Sequence, residues 1–151
     1  MALNANQIPI YAITPKVSGI SLTGATAQQI ASTTNASAVF TASASGSRVY
    51  SLIGSTNDTA AVNVFLTIQP GGTGTTAYHI GQVNIPINSG MIASTLSTDL
   101  LNPAVVPGLP LDNVGKRYIE LGANDKLYIG TVANMTAAKV LSVTAQGAHY
   151  Q

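Results

Sequence analysis

The sequence predicts an all-β chain, an antiparallel jelly-roll sandwich of about eight strands with an extended N-terminal arm. Three observations carry that expectation. Apolar and polar residues alternate with a period of two in nearly every patterned stretch, and no helical period is sustained over a useful length. The patterned stretches are short, evenly spaced and separated by turns of Gly, Asn, Asp and Ser. Only 7% of the 151 residues are charged, while the hydrophobic fraction is 46%; about 25% charge is ordinary.

The arm comes first. Pro9 and Pro15 prevent a helix from running through MALNANQIPIYAITPK, residues 1–16. Ile8, Ile10, Tyr11 and Ile13 give this segment apolar weight without the length for an element of its own. It reads as an extended arm that docks on a neighbour through Ile8, Pro9, Ile10, Tyr11 and Ile13. Residues 17–151 then form a single β-sandwich domain, large enough to bury one core.

Within that domain Val17–Leu22 is the first strand. Residues 23–37, TGATAQQIASTTNAS, are polar and weakly patterned, a loop or a ragged edge strand. Strands follow at Ala38–Ser43 and Arg48–Ser55, joined by the turn ASGS. In TNDT the Asn and Asp side chains can bond their own backbone and so favour a turn. Val62, Val64, Leu66 and Ile68 then alternate with Asn63, Phe65, Thr67 and Gln69, the pattern of a half-buried strand. Gly46–Ile68 thus reads as a β-hairpin. Phe65 stands on its otherwise polar face and is the residue expected to meet a second packing surface. PGGTGT is a Gly-rich loop, and the next strand carries Val83, Ile85 and Ile87, with Pro86 marking an edge or an end. Residues 89–110 make a loop or one short helical turn, because Pro103, Pro107 and Pro110 forbid anything long. Strands at Arg117–Leu121, Lys126–Val132 and Ala138–Gly147 close the chain.

The same residues exclude most chemistry. There is no cysteine, hence no disulfide, thiolate ligand or Cys nucleophile. His79 and His149 stand apart, with no spacing that would gather metal ligands, and no cofactor is expected. GGTGTT lacks the lysine of a phosphate-binding loop, and no G-x-S-x-G occurs. Asp112, Lys116, Arg117, Glu120, Asp125 and Lys126 cluster within fifteen positions. Glu120 and Asp125 could be paired carboxylates, but basic residues flank each, so neutralising ion pairs at a subunit contact or a solvated rim fit better. Arg117 and Glu120 are therefore candidate contact residues rather than catalytic ones, and an enzyme is not expected. No basic stripe suits nucleic acid, no apolar run suits a membrane span, and no signal peptide opens the chain. Tyr50, Tyr118, Tyr128 and Phe65 lie in strands and read as core or interface packing more than as a ligand platform. Two readings suit the scarcity of charge: a neutral polar surface, or burial against other subunits. The second is favoured, because Lys, Glu and Asp are depleted from interface cores and a near-neutral monomer is poorly soluble.

The blocks PIYAITPKVSG, VFTASASGSRVYSL, TNDTAAVNVFLTI, LPLDNVGKRYIELGANDKLYIGTV and VTAQGAHY resemble, in order and spacing, the jelly-roll decoration (cement) proteins of tailed bacteriophages. Gly147 and Tyr150 fill the C-terminal Gly and Tyr of that pattern; the Gly71–Gly74 loop and residues 91–109 fall outside it. The resemblance implies a structural virion protein on the outer capsid surface, assembled in the host bacterial cytoplasm. Its partners would be the major capsid protein and two further copies of itself in a homotrimer, with no small-molecule substrate. A fibre tip or adhesin that recognises the host, or a tail component, is the alternative; the absence of heptads, collagen repeat or stalk weighs against the tip.

Overall fold

The computed structural model describes residues 12–30, 32–74, 76–102, 106 and 108–151. Among the described residues nine strands form two antiparallel sheets: β1 (Ala12–Thr23), β2 (Ala36–Thr41), β3 (Ser47–Thr56), β4 (Val62–Gln69), β5 (Tyr78–Ile85), β6 (Thr98–Asp99), β7 (Ile119–Leu121), β8 (Lys126–Thr131) and β9 (Val140–Tyr150). One sheet runs β1-β9-β3-β6, with β7 also on β3; the other runs β2-β8-β4-β5. The pairs β1–β9, β2–β8, β3 with β6 and β7, and β4–β5 are the rungs of one long antiparallel ribbon. Pairing of β3 with β9 and of β4 with β8 rolls that ribbon around a core. This connectivity is the jelly roll the strand spacing predicts.

The rolling overturns one local expectation. Gly46–Ile68 is not a hairpin, because β3 and β4 lie in different sheets. The turn after Thr56 carries the chain from one layer to the other. Consecutive strands are usually neighbours, and the period-two pattern does not reveal which neighbour a strand takes.

Apolar side chains from both sheets meet between the layers: Phe40, Leu52, Leu66, Ile85, Leu127, Ile129 and Leu141 are fully buried. Burying each such side chain stabilises the fold by about 1.5–3 kcal/mol. Two glycines let the layers close. A Cβ on Gly54 would stand 2.7 Å from Ile85 Cδ1, and one on Gly147 would stand 2.5 Å from Arg48 O in the adjacent strand and 2.9 Å from the Phe40 ring.

Residues 12–16, which the sequence assigns to the arm, pair with β9 from Tyr150 back to Gly147. β1 is an edge strand, where the missing N–H of Pro15 breaks no interior ladder. Residues 1–11, with Ile8, Pro9, Ile10 and Tyr11, lie outside the described residues, and of Ile13 only the backbone is placed, in β1. Among the described residues the β1–β2 connection contains no strand and lies as a strap over the outer face of the second sheet. Gln28 N–H donates to Thr131 O at 2.8 Å, and Gln28 Nε2 donates to Ser32 O at 2.6 Å and Thr67 Oγ1 at 3.3 Å. Thr67, on the polar face of β4, is buried as a result, and Gln69 on the same face is buried beside Tyr128 and Gly74. The loop of residues 86–97 has no helical turn; it folds back through an Ile92–Thr95 bridge and leaves Met91, Ile92 and Leu96 exposed.

Candidate functional site

The outer face of the five-stranded sheet carries uncharged rows of side chains. Its side chains form rows across β1, β9 and β3: Val17–Gln146–Ser51, Gly19–Thr144–Ile53 and Ser21–Ser142–Ser55. No residue in these rows is ionisable, and Val17 is 66% exposed. Lysines and glutamates normally guard such a surface; here small hydroxyl side chains and isolated aliphatic groups replace them.

Charge borders the rows in two places, at one end in the next row and along the β3 side. Arg48 Nε lies 3.0 Å from Glu120 Oε2, and the guanidinium sits 4.1 Å above the Tyr118 ring. The Tyr150 hydroxyl donates to the other Glu120 oxygen. Burial and this carboxylate together push the Tyr150 phenol above its ordinary value. The cluster ties the end of β9 to β3 and β7. Arg48–Glu120 is the one ion pair among the described residues.

The other clustered charges do different work. Asp112 Oδ1 accepts from the N–H groups of Val114 and Lys116 at 3.0 and 2.7 Å. Asp125 accepts from Gly122 N–H and Gly71 N–H, each at 2.8 Å. Both aspartates hold turns. Arg117 is half-buried and donates through Nη1 to Leu109 O at 2.8 Å. Arg117 and Glu120 are thus not partners: Glu120 turns to Arg48, which is distant in sequence.

A groove of about 750 Å³ opens on the same outer face. Its origin is a split strand. Along its far edge β3 pairs with β7 at Ser47–Val49 and with β6 at Ile53–Gly54, leaving Tyr50 and Ser51 uncovered. The β3–β9 register also shifts between Val49 and Ser51, so Tyr50 is the extra residue of a bulge. Bulges re-aim side chains, and Tyr50 is 47% exposed rather than in the core. Tyr50, Ser51, Ile53 and Gln146 make the floor, Asp99 and Leu101 one wall, and the turn Asp112–Arg117 the other. That turn is rigidly built: beyond the Asp112 carboxylate bonds, Asp112 N–H donates to Lys116 O at 2.8 Å. In the sequence Tyr50 reads as strand packing, and Asp99 and Gln146 carry no motif. The one available signal was the break in alternation at Val49–Ser51.

The remaining candidates resolve into structure. Phe65 is half-buried on the outer face of the second sheet, edge-on to His79 with ring centroids 4.8 Å apart. Ser47 Oγ lies 2.6 Å from His149 Nδ1, but Ser47 is wholly buried and receives Ser43 N–H at 3.0 Å. A nucleophile must be reachable; this pair is an internal clasp. Among the described residues no three His, Asp or Glu side chains converge as metal ligands.

No family model matches the sequence, and no curated protein matches it. Among solved structures the cyanophage Pam1 capsid asymmetric unit is similar, with a TM-score of 0.42 and 15% identity over 99% of this chain and 97% of that one.

Proposed function

We propose that this chain is a structural protein of a bacteriophage particle, a decoration protein that binds the outside of the capsid and reinforces contacts between capsomers. The observation that carries the reading is the uncharged outer face of the five-stranded sheet, with its small hydroxyl residues and exposed Val17 and Ile53. Such a face desolvates at low cost and leaves no charge to be buried unpaired. The resemblance of the sequence blocks to capsid decoration proteins supports the same reading. The chain acts as a homotrimer, and many copies on one lattice gain occupancy by multivalency. Residues 1–11 extend the contact through Ile8, Pro9, Ile10 and Tyr11, and Phe65 and Glu120 lie at further contacts with a neighbour.

The test is co-sedimentation of the purified chain with phage capsids stripped of it, followed by imaging of the particles. Added density on the outer shell is expected; density confined to the tail, or no binding, ends the reading. Thr144→Lys places a charge in the centre of the face, where Thr144 is exposed. It should leave the fold intact and weaken capsid binding ~10-fold or more, because the charge would be buried without a partner.

A further inference from the structure

We propose that the groove at the split strand is a binding site for a neutral saccharide, at the margin of the proposed capsid face, with which it shares Ser51, Ile53 and Gln146. Its size falls in the range of small-molecule sites, about 300–1,000 Å³. Its walls carry Asp99 and Asp112 against Lys116 and Arg117, so the rim is balanced in charge. A cationic or anionic ligand would leave half of that rim opposed to it; a neutral one rich in hydroxyls can donate to the carboxylates and accept from the cations.

The floor supplies the second half of the recognition. A pyranose has an apolar C–H face and a polar rim. Tyr50, lifted by the bulge, offers an aromatic surface beside Ile53, and Ser51 and Gln146 offer neutral donors and acceptors next to it. A flat apolar partner would not use the carboxylates, and an anionic one would meet the negative face of the aromatic floor.

Two groups in the walls are poised for a ligand. Asp99 spends Oδ1 on Leu101 N–H at 2.9 Å, which fixes the carboxylate's orientation. Arg117 Nε is buried with no hydrogen-bond partner, while Nη1 is held by Leu109 O. An unpaired donor of this kind is costly, and a small turn of the guanidinium toward a ligand hydroxyl relieves the cost. Because the Asp112 turn is braced by its own hydrogen bonds, little ordering is required on binding.

The experiment is an amide-resolved NMR titration of the full ¹⁵N-labelled chain with maltose, cellobiose, lactose and N,N′-diacetylchitobiose, each to ~50 mM. At least one should give saturable shifts confined to residues 50–53, 99–101, 112–117 and 146, with a Kd of roughly 0.1–10 mM. Tyr50→Ala and Asp99→Asn should each weaken binding about tenfold or more. Tyr50→Trp should retain it, which separates loss of the platform from loss of the fold. Tyr78→Ala, at an exposed tyrosine on the other sheet, should change nothing. No saturable shift with any of the four sugars overturns the proposal, as does full binding by Tyr50→Ala. Shifts at these residues that follow protein concentration and ignore sugar also overturn it, assigning the groove to a second copy of the chain.

Discussion

Asp58 shows how one polar side chain can hold two loops. It is 1% exposed, yet Oδ2 accepts from Thr136 N–H at 3.0 Å and Oδ1 from Ala60 N–H at 3.2 Å. Burial favours the neutral acid, but the Thr136 side chain and these N–H groups outweigh it and hold the carboxyl below its ordinary 3.8. A carboxyl whose folded pKa is depressed stabilises fully above its unfolded value, and the contribution is lost as pH falls through the folded one. Asp58→Asn should therefore cost about 1–3 kcal/mol near neutral pH. The gap in melting temperature from the parent chain should narrow as pH drops below about 4; an unchanged gap in acid would refute the linkage. Gly147 is the steric counterpart. Gly147→Ala drives a methyl against the Arg48 carbonyl of the neighbouring strand and the Phe40 ring, and denaturant unfolding should show a loss of about 1–3 kcal/mol.

Among the elements, the strap between β1 and β2 does what its weak pattern conceals. It covers Thr67 and Gly130 on the outer face of β4 and β8 with a single buried side chain, Gln28. Gln28→Ala should free the strap while leaving the core intact. Hydrogen exchange should quicken at Gln28 N–H and across 24–35, with β4 and β8 still protected. Equal acceleration in β4 and β8 would mean that the strap supports the whole sheet. The split of the fourth strand into β6 and β7 is the other element-scale feature, since it opens the groove beside Tyr50. A single continuous strand there would have closed the edge of β3.

At the scale of the molecule, stability comes from the apolar layer between two sheets and hardly from charge. Arg48–Glu120 is exposed on both sides, and such a pair contributes about 0–1 kcal/mol. Between ~0.05 and ~0.5 M salt the melting temperature should shift by no more than about 2 °C. A larger shift would show that charge contributes more to stability than this one exposed pair. The scarcity of charge over the whole chain also predicts self-association: light scattering should show a trimer at micromolar concentration, and a strict monomer would remove the homotrimer from the proposed function.

The period of two, the polar turns and the even strand spacing made the all-β sandwich legible, because alternation along a strand is local and states directly which residues face a core. β4 has the predicted boundaries, Val62–Gln69. Pairing was not legible in the same way. Whether β3 joins β4 or β9 depends on how a ribbon rolls, and both outcomes bury the same Val49 and Leu52. The candidate site divides likewise. The shortage of charge, a matter of composition, announced a neutral face in advance. Its location on β1, β9 and β3, the turn of Glu120 toward Arg48 and the exposure of Tyr50 arise from contacts between residues far apart in the chain. Only the closed structure brings those residues together.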